Sequence, residues 1–545
     1  MNTWQTREEL LDLLCSLVNH QSITGSNAEI ALPEYIHHLL AQKDYFQTHP
    51  QHLNLHPLED GRHLLTALVR GGKATTEETV ILLSHFDVVG IEDYGSLRNL
   101  AFHPIELTRE LNQREDELPQ EVARDLEKGN WLFGRGTMDM KAGLALHLSK
   151  LEQAMEGTFH GNILLVTVPD EEVNSKGMIA ALPVLEKIKE EENLYYNACL
   201  NGEPIFQKYP EDPNYYIYTG SIGKVLPGFY CHGKETHAGE PFSGLNPNLM
   251  TSFLTNHIEL NQSFIEVSGQ EVTPPPVSLM QRDLKEEYSV QTPQAAISMY
   301  NILYFNQSFD ELNDKLKQGA KMAANDVEAY IYEKAKQFSE TAGQFPLPNP
   351  KVNVMMYEEL YQEAVNQYGK EEITRRQNLL VEQRNAGDRD FSTLLVQDLA
   401  SICKDLAPMI VLFYSPPFYP AVSSFDDPFI KDVVNNMKSF TKESYGIDVT
   451  ITAFFTGLSD LSFVGPVSSR SKLSRLTMNM PLQKNGFTFP EETMEKLNIP
   501  VVNIGPLGKD AHQWTERLEL TYSFEQLPII LNEAIHRLLQ PNLNK

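Results

Sequence analysis

Histidine and carboxylate side chains stand directly after apolar segments of this sequence, in positions where strand ends would gather them. His85 and Asp87 follow the apolar run 79–84 and are two residues apart, so they share one face if the strand continues. A histidine that binds a metal usually has a carboxylate or carbonyl that orients its ring, and Asp87 is the expected partner. A single H-x-D pair is more often structural, so this pair predicts a metal site only together with others.

Further segments carry carboxylates at comparable positions. Asp139 follows two glycines in the string G-R-G-T-M-D at the predicted start of a helix, where on its own it would be an N-cap. The string D-E-E at 170–172 follows the apolar run 162–168, and the mutual repulsion of neighbouring carboxylates would be costly without a cation. We expect one of them to bind metal and its neighbour to act as a base, although an exposed acidic turn is an equal alternative for this segment alone. Glu203 follows the apolar run 194–200 in the same way.

A late histidine completes the set. His512 lies in a polar segment and is followed four residues later by Glu516. Together, two histidines and three carboxylates form a mixed nitrogen and oxygen set that suits Zn²⁺, Co²⁺ or Mn²⁺ and does not suit Mg²⁺ or Ca²⁺ alone. The glycine turn lacks the spacing of a phosphate-binding loop, and no G-x-S-x-G elbow follows a strand. Nucleotide binding and serine hydrolase chemistry are therefore not indicated.

The elements that must position these residues alternate between strand and helix. Apolar, β-branched runs at 79–84 and 162–168 predict buried strands, and the segments 139–150 and 178–192 have helical periodicity. The string T-R-E-E at 6–9 is a capping box that predicts the start of the first helix. Alternation of this kind predicts an α/β sheet, whose ligands collect at the carboxyl ends of the strands.

The character of the sequence changes near residue 221 and changes back near residue 422. Between these points, a strand, a helix and long acidic helical stretches lead to an apolar strand and a proline-rich linker. Sheet-like runs then resume at 449–455 and 499–504. We therefore expect a discontinuous catalytic domain at 1–220 and 423–545, with an inserted domain at 221–422.

The composition excludes some classes of partner and compartment. With 45 Lys and Arg against 73 Asp and Glu, the net charge of −28 over 545 residues repels nucleic acid and anionic membranes. The 4 cysteines stand far apart without a C-x-x-C pair, which is typical of buried thiols in a reducing compartment. No apolar run is long enough to span a membrane, and the acidic start is unlike a signal peptide, so we expect a cytoplasmic protein.

The ordered motifs H-x-D, G-R-G-x-x-D-x-K, D-E-E, G-E-P and H-x-x-x-E resemble the M20 metallopeptidase family of di-zinc aminoacylases, carboxypeptidases and dipeptidases. The resemblance implies two divalent metal ions, zinc first, with cobalt or manganese as alternatives. It implies that one metal is bound by His85 and Glu203, that the other is bound by Glu172 and His512, and that Asp139 bridges both. Glu171 would be the general base, and Asp87 would belong to the catalytic residues.

The resemblance extends to the inserted domain, which corresponds to the family's lid. His237 matches a lid histidine that holds the substrate carbonyl or the oxyanion, so we expect it to be both catalytic and substrate-binding, and Asn246 is expected to contact substrate. The implied fold is a mixed sheet with helices on both faces plus an α+β, ferredoxin-like lid. Residues 356–400 are expected to extend that lid as helices, and the lid's size resembles the arginine-utilisation (Roc-type) branch.

The implied function is hydrolysis of an amide or peptide bond in an N-acyl amino acid or a short peptide, by a metal-bridged hydroxide. Aminopeptidase action and N-acyl amino acid hydrolysis stay open, because the substrate pocket cannot be derived from motif spacing. A catalytically silent scaffold with the same fold is the alternative from another class. Such relatives usually lose ligands or the base, whereas every expected position is filled here. A homodimer formed through the lid is also open.

Overall fold

A computed structural model describes residues 3–71, 76–209, 212–343, 347–468 and 472–541. The chain forms two compact units, the first made of Met1–Ile222, Val422–Val467 and Glu492–Lys545, the second of Gly223–Ala421 and Ser468–Glu491. Residues 468–491 thus group with the second unit, although the sequence prediction had kept 423–545 together. The assignment of catalytic and lid roles to the two units stays a prediction.

The first unit is built, within its described residues, on a sheet of eight strands. Their spatial order is Leu53–Pro57, His63–Val69, Asn162–Val168, Glu78–His85, Tyr195–Asn201, Val501–Asn503, Tyr215–Tyr218 and Val449–Thr452. The central neighbours Asn162–Val168, Glu78–His85 and Tyr195–Asn201 are parallel, while the first two strands run antiparallel. Most of these central residues are buried, as expected for near-continuous apolar runs. The predicted α/β fold with a mixed sheet is confirmed.

The helices of the first unit precede, separate and follow these strands in the sequence. They are Arg7–Asn19, Asn27–Ala41, Asp44–Thr48, Pro104–Gln113, Gln120–Glu127, Lys141–Met155, Lys176–Glu191, Pro428–Tyr445, Glu491–Leu497 and Leu527–Leu538. The first helix has the predicted capping box, in which the Thr6 side chain accepts from the Glu9 backbone and the Glu9 side chain accepts from the Thr6 backbone. One large core of buried Leu, Val, Ile and Phe side chains joins these helices to the sheet.

Short strands complete the first unit. Trp131–Phe133 pairs with Arg517–Glu519, which in turn pairs with Gly508–Lys509. Gly220–Ser221 pairs with Val422–Ser423. The first of these small sheets connects the segment before Asp139 with the segment that carries His512, so residues almost 400 positions apart are held together by backbone hydrogen bonds.

The second unit contains a β-α-β-β-α-β succession. Its elements are Pro227–His232, Pro247–Ile258, Val277–Asp283, Ala295–Tyr304, Phe309–Ala342 and Met409–Tyr414. The first strand lies between the third and the fourth, and the second strand is next to the third, all antiparallel. This is the ferredoxin-like arrangement. Gly223–Val225 pairs with the end of the third strand.

An insertion follows the long helix of this unit. The strand Asn353–Met356 adds in parallel to Met409–Tyr414, and the helices Tyr357–Tyr368, Lys370–Glu382 and Asp388–Ile402 come between them. Their apolar faces form a separate core with the sheet, which includes Leu360, Val396 and Leu399. The predicted helical extension at 356–400 therefore has the expected secondary structure. The small elements Val267–Ser268, Glu271–Val272 and Ser474–Thr477 complete the unit.

Among the helices of the described ranges, none combines the length and apolar character that crossing a membrane requires.

Candidate metal centre

The carboxyl ends of adjacent central strands bring the predicted site residues together. His85 is the last residue of its strand and is in register with Val168, so the D-E-E segment that follows Val168 starts beside it. On the other side, Leu83 is in register with Asn201, and Glu203 follows two residues later. Parallel strands thus carry three separated motifs to one edge of the sheet, as the α/β prediction required.

Two groups of ligand atoms share one carboxylate. His85 Nε2 lies 3.3 Å from Asp139 Oδ1 and 3.5 Å from Glu203 Oε1. His512 Nε2 lies 3.2 Å from Asp139 Oδ2 and 3.1 Å from Glu172 Oε2. Within each group the ligand atoms are no more than 4.8 Å from one another. Asp139 therefore turns one oxygen towards each histidine, as a bridging ligand would.

These separations fit divalent metal ions. Two atoms bound to one tetrahedral zinc at about 2.0–2.1 Å are about 3.3–3.4 Å apart, which matches the histidine–carboxylate distances. His85 Nε2 and Glu172 Oε1 are two of the buried side-chain atoms of the described residues that have no hydrogen-bond partner. Buried polar atoms are rarely left unpaired unless an ion or water completes them. The nitrogen and oxygen donor set suits zinc, cobalt or manganese. The arrangement can therefore hold two divalent metal ions.

The pKa shifts of the site residues also favour bound metal ions. Burial raises the pKa of Glu171 and of Glu203 well above the usual range. Contacts with Asp139 and Glu172 raise the pKa of His512 to about 11. Burial opposes ionisation of Asp139, but the two histidines hold its pKa below the usual range. The carboxylates thus require positive charge, and a divalent ion supplies it when the histidines lose their protons.

Asp87 is buried on the Nδ1 side of His85. Its Oδ1 lies 3.5 Å from His85 Nδ1, and its backbone oxygen is 3.1 Å from the same nitrogen. Its carboxylate also accepts from the backbone N–H groups of Glu171 and Glu172 at 3.1 and 3.3 Å, and from the Thr24 hydroxyl at 2.8 Å. A carboxylate with these contacts can orient an imidazole that binds metal, and it holds the D-E-E backbone next to that imidazole.

The turn that carries Asp139 is held by a buried ion pair. Glu516 is fully buried and accepts from the backbone N–H groups of Met138 and Asp139 at 3.2 and 3.4 Å. Its other oxygen accepts from Arg135 at 2.7 Å. Gly136 has φ 76°, and a Cβ there would lie 2.8 Å from Val88, so only glycine fits this turn. The motif H-x-x-x-E therefore contributes a ligand-type histidine and, four residues on, the anchor of the Asp139 turn.

Glu171 is buried beside the two groups and outside both. Its Oε2 lies 3.9 Å from His85 Nε2, farther than the ligand-type oxygens. A carboxylate at this position can exchange protons with a molecule at the centre while its neighbour Glu172 faces His512.

The remaining predicted residues belong to the second unit. His237 is exposed, and its Nδ1 accepts from the backbone N–H of Gly239 at 3.0 Å. Asn246 is the N-cap of the helix Pro247–Ile258 and accepts from the backbone N–H of Asn248. The structure thus gives Asn246 a local capping role that the motif alone did not indicate. The proposed contacts of both residues with substrate stay predictions.

Sequence reasoning missed several buried charged residues around the centre. Asp460 is 3% exposed, and its charge raises the pKa of Glu171 and of Glu203. Burial in turn raises the pKa of Asp460 to about 7. Arg62 contacts the D-E-E segment through Asp170. Asp460 follows a predicted strand, as the ligand-type residues do, and this was the available signal. No sequence signal pointed to Arg62, because no motif surrounds it.

Comparison with known proteins defines the class. The sequence profile of peptidase family M20/M25/M40 matches residues 81–476. The chain therefore belongs to this family and is a metal-dependent hydrolase of peptide or amide bonds.

Two relatives match the chain over almost their whole length. The chain is 50% identical to the uncharacterized protein YqjN of Bacillus subtilis over 538 residues, which cover 98% of this chain and 97% of that protein. It is 32% identical to protein RocB of Bacillus subtilis over 98% of this chain and 95% of that protein, which confirms the predicted resemblance to that branch. A tripeptidase from Staphylococcus aureus has a similar fold, with TM-score 0.52 and 15% identity over 98% of this chain and 100% of its own.

Proposed function

We propose that this chain cleaves the amide bond of an N-acyl amino acid or a short peptide at a centre of two zinc ions. His85 and Glu203 would bind one ion, Glu172 and His512 the other, and Asp139 would bridge them. The observation that carries the proposal is the Asp139 carboxylate, whose two oxygens face different histidines at 3.3 and 3.2 Å. An N-cap aspartate or a plain ion pair would not need both oxygens to face separate imidazoles.

The ions, when bound, supply an acidified water and a Lewis acid for the substrate carbonyl. Glu171 accepts the proton of the attacking water, because its side chain is buried beside the centre and outside both ligand groups. Its protonated form then donates to the departing amine. Asp87 keeps the His85 ring in place and holds the Glu171 backbone N–H, so that the base and the ligand keep a fixed separation.

In this proposal, residues of the second unit select the size and charge of the substrate. His237 would stabilise the oxyanion, and one such donor is typically worth about 3 kcal/mol. Asn246 would contact substrate through its side-chain nitrogen, because its oxygen caps the helix that follows. Cytoplasmic location is proposed on the free thiols of Cys15, Cys199, Cys231 and Cys403.

The test is a substrate panel with zinc-loaded protein. Dipeptides with a free amino group and N-acetyl or N-succinyl amino acids of the same residues are offered in parallel, and the release of new amines is followed. Hydrolysis of one class and not the other decides between aminopeptidase and N-acyl hydrolase action. Glu171→Gln is compared with Glu186→Gln, which removes a charge from a surface ion pair with Lys496. Two bound zinc ions without hydrolysis of either class would favour a silent scaffold.

A further inference from the structure

Asp170 is the first residue of the D-E-E segment and belongs to neither ligand group. Its Oδ2 accepts from the backbone N–H of Lys176 at 3.0 Å, and its backbone oxygen accepts from the N–H groups of Asn174 and Ser175 at 3.1 and 2.6 Å. Asp170 thus closes the loop that follows the strand Asn162–Val168. The loop begins one residue before Glu171, so its conformation sets the direction of both glutamates.

Asp170 adopts a backbone conformation that favours glycine. Its φ is 72°, in the left-handed region, which non-glycine residues seldom occupy. Glycine would relieve this strain but would remove the carboxylate. Such strain persists where surrounding contacts determine the conformation. The contacts of Asp170 therefore hold this conformation in place.

The principal contact is a buried arginine. Arg62 Nη1 donates to Asp170 Oδ1 at 2.8 Å and to Glu29 Oε1 at 3.0 Å. The same Glu29 oxygen accepts from the backbone N–H of Asp170 at 3.0 Å. The Arg62 side chain is 8% exposed, and those of Glu29 and Asp170 are 0% and 5% exposed. Arg62, Glu29 and Asp170 thus form a largely buried triangle in which Asp170 is held by both its side chain and its backbone.

Arg62 also has a third carboxylate partner. Its Nε and Nη2 donate to Asp60 Oδ2 at 3.1 and 2.7 Å. A planar guanidinium can serve three carboxylates at once from fixed directions, whereas the lysine ammonium is a single point of charge on a flexible chain. The geometry requires arginine at this position.

We propose that Arg62 is a positioning residue for catalysis, which acts through Asp170 to hold Glu171 and Glu172 in their working directions. The inference rests on the proposed function, in which Glu171 is the base and Glu172 a metal ligand. Arg62 touches neither the ligand groups nor Glu171 directly. Its removal would leave Glu29 and Asp170 buried without their cation, and the loop would move to solvate them.

A cavity next to this cluster allows chemical rescue. It has a volume of about 280 Å³, and Thr24, Ser26, Asp60, Arg62, Asp170 and Val173 are among the residues that line it. In Arg62→Ala, the space of the side chain would join this cavity. Added guanidinium ion could then enter and occupy the place of the missing group. Methylammonium, which carries the same charge without the planar fork, serves as the comparison.

The experiment measures kcat, KM and bound zinc for wild type and Arg62→Ala, with and without millimolar guanidinium. We expect kcat to fall about 10–100-fold, as for other residues that orient metal ligands, while KM changes little. We expect guanidinium to restore most of the loss and methylammonium to restore none. Zinc affinity, read by competition with a chelating dye, should fall and recover in parallel, which gives a measure independent of turnover.

Arg70→Ala is the matched control. Arg70 immediately follows the strand that begins next to Arg62 and bonds Glu192 at the surface instead of the D-E-E loop. The kcat of Arg70→Ala should equal that of wild type and should not respond to guanidinium. Full activity and zinc affinity in Arg62→Ala would overturn the inference, as would a loss that guanidinium and methylammonium reverse equally. Wild-type protein without bound zinc and without hydrolysis would refute the proposed function and this inference together.

A second pair of variants applies if Arg62→Ala does not fold. Arg62→Lys keeps the charge, and Asp170→Asn keeps the shape of the aspartate. If the two residues act through one contact, the double variant should lose no more kcat than the more damaging single variant. Losses that multiply would show independent effects and would overturn the inference.

Discussion

Removal of the Asp139 carboxylate should weaken both metal sites at once. Asp139 turns one oxygen towards the His85 group and one towards the His512 group, so Asp139→Ala should take a ligand from each. Four-ligand zinc sites bind with about 10–16 kcal/mol, which is about 2.5–4 kcal/mol for each ligand. Since 1.4 kcal/mol is a factor of ten, each affinity should fall by about two to three orders of magnitude.

The assay is elemental mass spectrometry after zinc loading and desalting, combined with competition against a chelating dye. Wild type should retain about two zinc ions per chain and Asp139→Ala fewer than one. Asp212→Ala is the matched control, because Asp212 is also buried in the first unit but bonds the Tyr216 hydroxyl and belongs to neither ligand group. If Asp139→Ala kept both ions with near wild-type affinity, the bridging role of this carboxylate would be wrong.

The other predictions concern the base, a buried lysine and the ion pair under the Asp139 turn. Glu171→Gln should retain both zinc ions, and its kcat should fall about 10²–10⁴-fold, which is the usual contribution of a general base to the rate. The kcat is measured with the best substrate of the panel. Burial lowers the pKa of Lys150 from 10.5 to about 7. The unfolded chain therefore binds more protons between these values, and stability should rise with pH from about 7 to 10.5. Because the Pro528 carbonyl and the Asn532 side chain accept from Lys150, we expect a rise of only about 1–3 kcal/mol in urea titrations, absent in Lys150→Met. Glu516→Ala leaves Arg135 buried without this partner and should cost about 3–5 kcal/mol of unfolding free energy, whereas the surface variant Asp448→Ala should leave the free energy almost unchanged; equal losses would contradict the buried anchor.

The strands and the ligand-type residues could be predicted from the sequence because one rule connects them. Buried parallel strands are apolar along their length, and polar residues at their ends meet at one edge of the sheet. The run 79–84 became the strand Glu78–His85, and 162–168 became Asn162–Val168 without change. Five motifs in a fixed order then indicated the family, which the sequence profile confirms.

The ends of helices and the boundary between the two units were harder to predict from the sequence. The helix predicted from residue 139 begins at Lys141, because Met140 has a non-helical backbone and Asp139 faces the two histidines instead of capping the helix. Residues 468–491 group with the second unit, and their short helix and turns carry no pattern that differs from the first unit. Short apolar segments of this kind are compatible with the core of either unit.

The anchors of the site could not be predicted from local pattern. Arg62 and Asp170 are 108 residues apart, and Arg135 and Glu516 are 381 apart. A charged residue in a loop is normally solvated, so its sequence neighbours say nothing of a distant buried partner. Only the three-dimensional arrangement shows that Arg62 contacts Asp170 and that Arg135 contacts Glu516, which accepts from the backbone of the turn that carries Asp139.

Anomalous diffraction from zinc-soaked crystals would show whether Asp139 bridges a pair of metal ions. Data collected on both sides of the zinc absorption edge locate the ions without reference to activity. We expect two peaks, one bounded by His85, Asp139 and Glu203 and the other by Asp139, Glu172 and His512. A single peak, or peaks away from Asp139, would contradict this bridging role.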